Sequence, residues 1–186
     1  MPEKAPSGRT LKKIVTGLLR DSDMTAAMSQ MAQYPPRRVI NPLIGLLFNK
    51  DDPVQQRAVT AIGATTARLA ESDMESARII MRRLMWSLND ESGGIGWGAP
   101  EAMGEIMARH SRMALEYHRI LFSYIAPDKN FLEHDDLRQD ALNGIKRLAG
   151  ARPELVSPEV ELLESFRTSS IESERKTAED ILALLR

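Results

Sequence analysis

Cysteine is absent from the chain. That excludes a disulfide framework and any thiolate nucleophile or ligand, and it suits a reducing cytoplasm, the compartment expected. No run approaches the ~18 consecutive apolar residues that a membrane-spanning helix needs, so no membrane is expected among the partners. Neither sign of charge is in excess: 25 Lys and Arg face 26 Asp and Glu, a formal net charge of −1 at pH 7, and the pI is about 6.3. Such a balance exerts no bulk pull on nucleic acid or on an anionic membrane. The three histidines, His110, His118 and His134, lack metal-ligand spacing, and no Ser-His-Asp or Cys-His arrangement is suggested. No catalytic residue, metal or cofactor is therefore expected, and the protein is not expected to be an enzyme. The opening stretch "MPEKAPSGRTLKKIV" has no long apolar segment and no cleavage site, so it is not a signal peptide. Residues 1–9 are expected to form a disordered leader and residues 10–186 a single domain.

What the chain does have is helical period. In "ESARIIMRRLMWSL" Ala77, Ile80, Met81, Leu84 and Leu88 fall on one helical face. "RMALEYHRILFSYI", "VELLESFRTSS" and "TAEDILALLR" repeat the pattern. Strand-like alternation is not sustained anywhere. Turn signals recur at short intervals, as in "YPP", "NKDDP", "NDESGG", "APDKN" and "ARPE". The spacing predicts helices of about ten to twenty residues joined by short loops. Methionine, at ten residues, suits flexible packing in helical cores and is also used at promiscuous binding surfaces.

A repeat lies beneath this pattern. Ala58, Ala99, Ala141 and Ala178 fall in register at spacings of 41, 42 and 37 residues. Small residues recur three positions later, at Ala61, Ala102 and Gly144. Small side chains at i and i+3 let a second helix come close. A repeat of about 40 residues with two helices is the mark of a helical solenoid.

The stretch Pro42–Gly63, "PLIGLLFNKDDPVQQRAVTAIG", resembles a HEAT-type repeat. Pro42, Leu46, Leu47, Asp51, Val54, Ala58, Ala61, Ile62 and Gly63 match that pattern, with Gln55 in place of its arginine. A later unit matches at Asp135, Leu137, Arg138 and Ala141. The last matches at Arg175 and Ala178, with Glu174 where valine is expected. The resemblance implies an all-α fold, a right-handed α-α superhelix of about five helix pairs. It implies a structural role for Arg138, paired with turn aspartates. Local chemistry adds expectations: Asp52 as N-cap with Pro53 and Gln55 behind it, a helix starting at Ser157-Pro158-Glu159, capping polarity in "EHDD", and a kink or new start at Pro42.

One unit departs from the pattern. In "NDESGGIGWGAPEAMGEI" two residues are added, and Gly93, Gly94, Gly96 and Gly98 stand where a helix should begin. Each costs about 1 kcal/mol of helix stability relative to alanine. The helix is expected to start late, near Pro100, after a loop over Ser92 to Gly98. Trp86 lies about 200° from Leu84 around its helix, off the apolar stripe. Trp97 is in the loop. Either the loop is an ordinary connection with close backbone packing, or it is an interaction site. As a site it comprises Trp86, Asp90, Glu91, Gly94, Gly96, Trp97, Glu101 and Glu105, with tryptophan area and carboxylate charge for a partner. Glu101 and Glu105, at i and i+4, are expected mainly as a solvated face. A phosphate cradle is disfavoured, because "GGIGWG" lacks Gly-Lys-Ser/Thr and is ringed by carboxylates.

The function expected is a non-catalytic scaffold for a protein or peptide. The resemblance implies one alternative. Some DNA glycosylases for alkylated bases are built of HEAT-like repeats and use tryptophans with an aspartate, which Trp86, Asp90 and Trp97 match in type. The charge balance counts against it, and nucleic acid is not the expected partner.

Overall fold

The computed structural model describes residues 6–21, 23–48, 53–89 and 96–186. Among them every regular element is helical. In chain order these are α1 Gly8–Asp21, α2 Met24–Met31, α3 Pro36–Leu47, α4 Val54–Ser72, α5 Met74–Ser87 and α6 Ala99–Arg109. Then come α7 Ser111–Ser123, α8 Asp135–Ala151, α9 Pro153–Val156, α10 Val160–Ser165 and α11 Glu172–Leu184. A 3-10 turn, Ser157–Glu159, runs α9 into α10 as one bent helical stretch. The described elements thus make five hairpins. Helix α1 begins at Gly8, inside the leader expected over residues 1–9, and the first five of those residues lie outside the described ones.

Helix starts follow side-chain capping. The carboxylates of Asp23 and Asp73 accept from the backbone N–H groups of Ala26 and Ser76, at 2.9 and 3.0 Å. His110 and His134 do the same with ring nitrogens for α7 and α8, which is the capping role expected of "EHDD". The N–H and hydroxyl of Ser76, with Arg37, hold the Asp73 carboxyl below the usual carboxylate range.

Three local expectations change. Helix α4 starts at Val54 rather than Pro53, and the Gln55 amide donates to the Leu47 carbonyl at 2.8 Å, tying α4 to α3. Asp52 lies outside the described residues. Pro42 neither starts nor ends a helix but sits inside α3. Ser157-Pro158-Glu159 forms the 3-10 turn and not a helix start.

From the second hairpin onward, the second helices form an inner row. Helix α4 packs on α6, α6 on α8, and α8 on α11. Ala58, Ala61, Ala99, Ala102, Ala141 and Ala178 lie along these contacts and are all fully buried, as the repeat register predicts. Helices α6 and α8 come closest. A Cβ at Gly104 would run into the backbone of Gly144, and one at Gly144 would meet the Pro100 carbonyl. A continuous apolar core runs from Leu11 on α1 to Leu182 on α11, which is how stacked repeats bury faces that no single hairpin could cover.

Candidate functional site

The end of the glycine loop is pinned on three sides. Gly96 lies against the end of α5, where a Cβ would collide with the Ser87 backbone. Gly98 has φ +69°, the left-handed region that glycine enters without strain. Its N–H donates to the Asp140 carboxylate of α8 at 2.7 Å. Helix α6 then begins at Ala99 with Pro100 in its first turn, the late start the glycines predict. Asp90, Glu91 and Gly94 lie outside the described residues.

Trp97 is half-buried. Its ring meets that of His134 edge-on, with centroids 4.8 Å apart and planes at 81°. His134 caps α8, so Trp97 links its loop to the next hairpin. Part of its surface therefore serves the fold.

Glu101 and Glu105 face inward, only 3% and 6% exposed. This corrects the solvated face expected of the pair. Their row on α6 points between α4 and α8, where Arg147 reaches across from α8. Arg147 donates from Nε to Glu101 at 2.8 Å and from Nη1 to Glu105 at 2.9 Å. Glu105 also accepts from Arg109 at 2.6 Å. Gln56 of α4 donates to Glu101 and accepts from Arg147. Burial works against the Arg147 charge, but the two carboxylates outweigh it and raise the arginine's pKa. A second polar link is built likewise. Arg138 donates to Glu174 of α11 at 2.6 Å and to Asp135 at 2.8 Å. Glu174, out of pattern in sequence, is the buried partner of the structural arginine.

Trp86 is elsewhere and is bare. It stands on the last turn of α5, 66% exposed. It forms one wall of a groove of about 620 Å³ on the rim where first helices turn into second ones. Leu88 lies beside it, Phe131, Glu133 and His134 form the facing wall, and Tyr124 lies in the groove. Burial pushes the Tyr124 phenol up to about 12, so it stays neutral through the physiological range. Phe131 carries the Arg138 guanidinium over its ring at 5.1 Å. Glu133 is exposed. Its backbone carbonyl accepts from Arg138 at 3.5 Å, while its carboxylate is unpaired among the described residues.

Of the candidate site residues that are described, the groove gathers Trp86 alone. Glu101, Glu105 and Trp97 do not line it, although Trp97 touches its wall through His134. Tyr124, Phe131 and Glu133 were not anticipated. The signal for Phe131 and Glu133 is the connection "APDKNFLEHDD", the place where an aromatic and an acid fall between two helices without a periodic role. No group of three His, Cys, Asp or Glu side chains placed to hold a metal occurs among the described residues. Nor is any described helix long and apolar enough to cross a membrane.

No protein-family model matches the chain, and no curated protein matches it either. Solved structures do. A crystal structure of an engineered protein matches at a TM-score of 0.51 and 16% identity, covering 95% of this chain. The chain spans about half of that protein's length, 47%. A designed armadillo repeat protein in complex with a (KR)4 peptide also matches at 0.51 and 16% identity, covering 96% of this chain and 82% of its own. At such identity the likeness speaks to fold alone, and with the stacked hairpins it makes this chain an all-α helical repeat solenoid.

Proposed function

We propose that the protein is a non-catalytic binding scaffold whose rim groove takes a peptide segment of a protein partner. The observation that carries this reading is Trp86: a large apolar side chain left two-thirds exposed over a groove, on a fold that stacks hairpins to make extended surfaces. Exposed tryptophan over a concave site is the kind of anchor that dominates binding energy at interfaces. The groove's volume, about 620 Å³, lies in the ~300–1,000 Å³ range of ligand sites. The designed armadillo protein is described with a peptide bound, which accords with a peptide-binding use of such a scaffold. Within the helical repeat proteins we read the units as HEAT-like, on Pro42, Asp51, Val54 and Ala58 in one and Asp135, Arg138 and Ala141 in another. We place the protein in the cytoplasm and expect no hydrolytic activity.

The test is a display library of random eight-residue peptides, selected on the wild type and counter-selected on Trp86→Ala. Binders that need Trp86 support the reading. A set retained equally by Trp86→Ala removes the groove from the function. In parallel, release of base from alkylated DNA by the pure protein would overturn the non-catalytic reading.

A further inference from the structure

We infer that the rim groove selects a basic segment, a lysine or arginine beside an apolar residue. The inference rests on the reading of the groove as a peptide site and names the chemistry of its occupant.

Charge is the first argument. The chain's near-neutral total conceals a separation. Residues 1–89 carry 13 Lys and Arg against 8 Asp and Glu, and residues 90–186 carry 12 against 18. The connection and first turn that wall the groove hold Asp128, Glu133, Asp135 and Asp136 against Lys129 and Arg138. Arg138 is already engaged by Glu174 and Asp135. Asp128 and Glu133 keep exposed carboxylates with no partner among the described residues. A field of one sign over a concave site raises the local concentration of the opposite charge.

The aromatic surfaces are the second argument. Phe131 already holds one guanidinium, that of Arg138, so a cation fits the chemistry of this wall. Trp86, the strongest ring for such contacts, has its surface open. The basic neighbours of Trp86 do not compete for it. Arg82 pairs with Glu75 at 2.6 Å and Arg83 bonds Asn41 at 2.8 Å. Apolar lining comes from Ile120 and Leu137, which is why an apolar residue is expected next to the cation. A lysine or arginine stem packs on such surface while its head reaches Glu133.

The same peptide selection decides the matter through composition. Among Trp86-dependent binders, Lys and Arg are expected at least about threefold above the input library, beside a Leu, Met or Phe. A synthetic binder should lose about tenfold in affinity when its cation becomes Glu, and less at high salt, as interfacial charge pairs do. Glu133→Lys should reverse the preference, and Glu133→Gln should weaken it by about threefold. Trp86-dependent binders without enrichment in Lys and Arg overturn this inference and leave the groove reading standing. Selection of no Trp86-dependent binder overturns both. Basic peptides bound equally by Trp86→Ala and Glu133→Gln would assign the attraction to the acidic half at large and overturn the site. Sedimentation completes the test: if copies associate and Trp86→Ala abolishes that association, the occupant is a second copy, against the proposal.

Discussion

Two carboxylate-bearing regions flank the hairpin of α5 and α6, and they are built in opposite ways. On the inner face, Glu101 and Glu105 are buried and matched by Arg147, Arg109 and Gln56. On the rim, Trp86 is bare and the Glu133 carboxylate has no partner among the described residues. Buried polar groups must be satisfied or they destabilise the fold, so the inner cluster is architecture. The rim leaves both its ring and its charge available. Burial and pairing, rather than residue type, separate architecture from available surface here.

Substitutions can break that comparison. The largest effect is expected at Gly104→Val, which drives methyl groups into the Gly144 backbone. A loss of about 3 kcal/mol or more in urea unfolding is expected, at the upper end of overpacking costs. Arg147→Ala should cost about 3 kcal/mol, because it strips the cation shared by two buried carboxylates. A loss below about 1 kcal/mol would mean that the inner cluster is no more structural than the rim. Trp97→Ala belongs between the two regions. A full core aromatic costs about 3–5 kcal/mol on truncation, and half-burial against His134 sets the expectation near 2 kcal/mol. Trp86→Ala should leave stability within about 0.5 kcal/mol while abolishing binding. A large fall in melting temperature would instead move Trp86 into the fold.

Acid provides the mildest probe. The Arg78 guanidinium holds Glu116 below the usual carboxylate range, and Arg82 does the same for Glu75. Groups whose pKa is depressed by folding bind protons more readily in the unfolded chain. Their stabilisation is thus complete above the ordinary carboxylate range and is lost as pH falls through and below it. Melting temperature should be flat from neutral pH down to that range and decline beneath it. Arg78→Gln should flatten that decline slightly, since these outer pairs are solvent-screened.

The helical architecture was legible because it is written locally and repeated. Alanines 41, 42 and 37 residues apart, the first three each followed three positions later by a small residue, have one reading in a helical chain. Gly98 and Pro100 announced the late start of α6 through backbone preference alone. Exposure of Trp86 followed from its angle to the apolar stripe. The fate of Glu101 and Glu105 was not legible. An i, i+4 carboxylate pair reads the same whether it faces water or an arginine 46 residues away. The Phe131 and Glu133 wall was hidden for the same reason: only stacking of hairpins sets "NFLEH" opposite the end of α5.

The contact between Gly104 and Gly144 reaches beyond stability. The inner helices α6 and α8 meet backbone to backbone there, while their outer partners α5 and α7 are bridged by the long Arg78–Glu116 arm, 2.7 Å between its charged ends. At this junction one row of helices is spaced by backbone contact and the other by a pair of long side chains. Enlarging either glycine would force the first row apart, while shortening the Arg78–Glu116 arm would leave the glycine contact in place, so the two spacings can be altered separately.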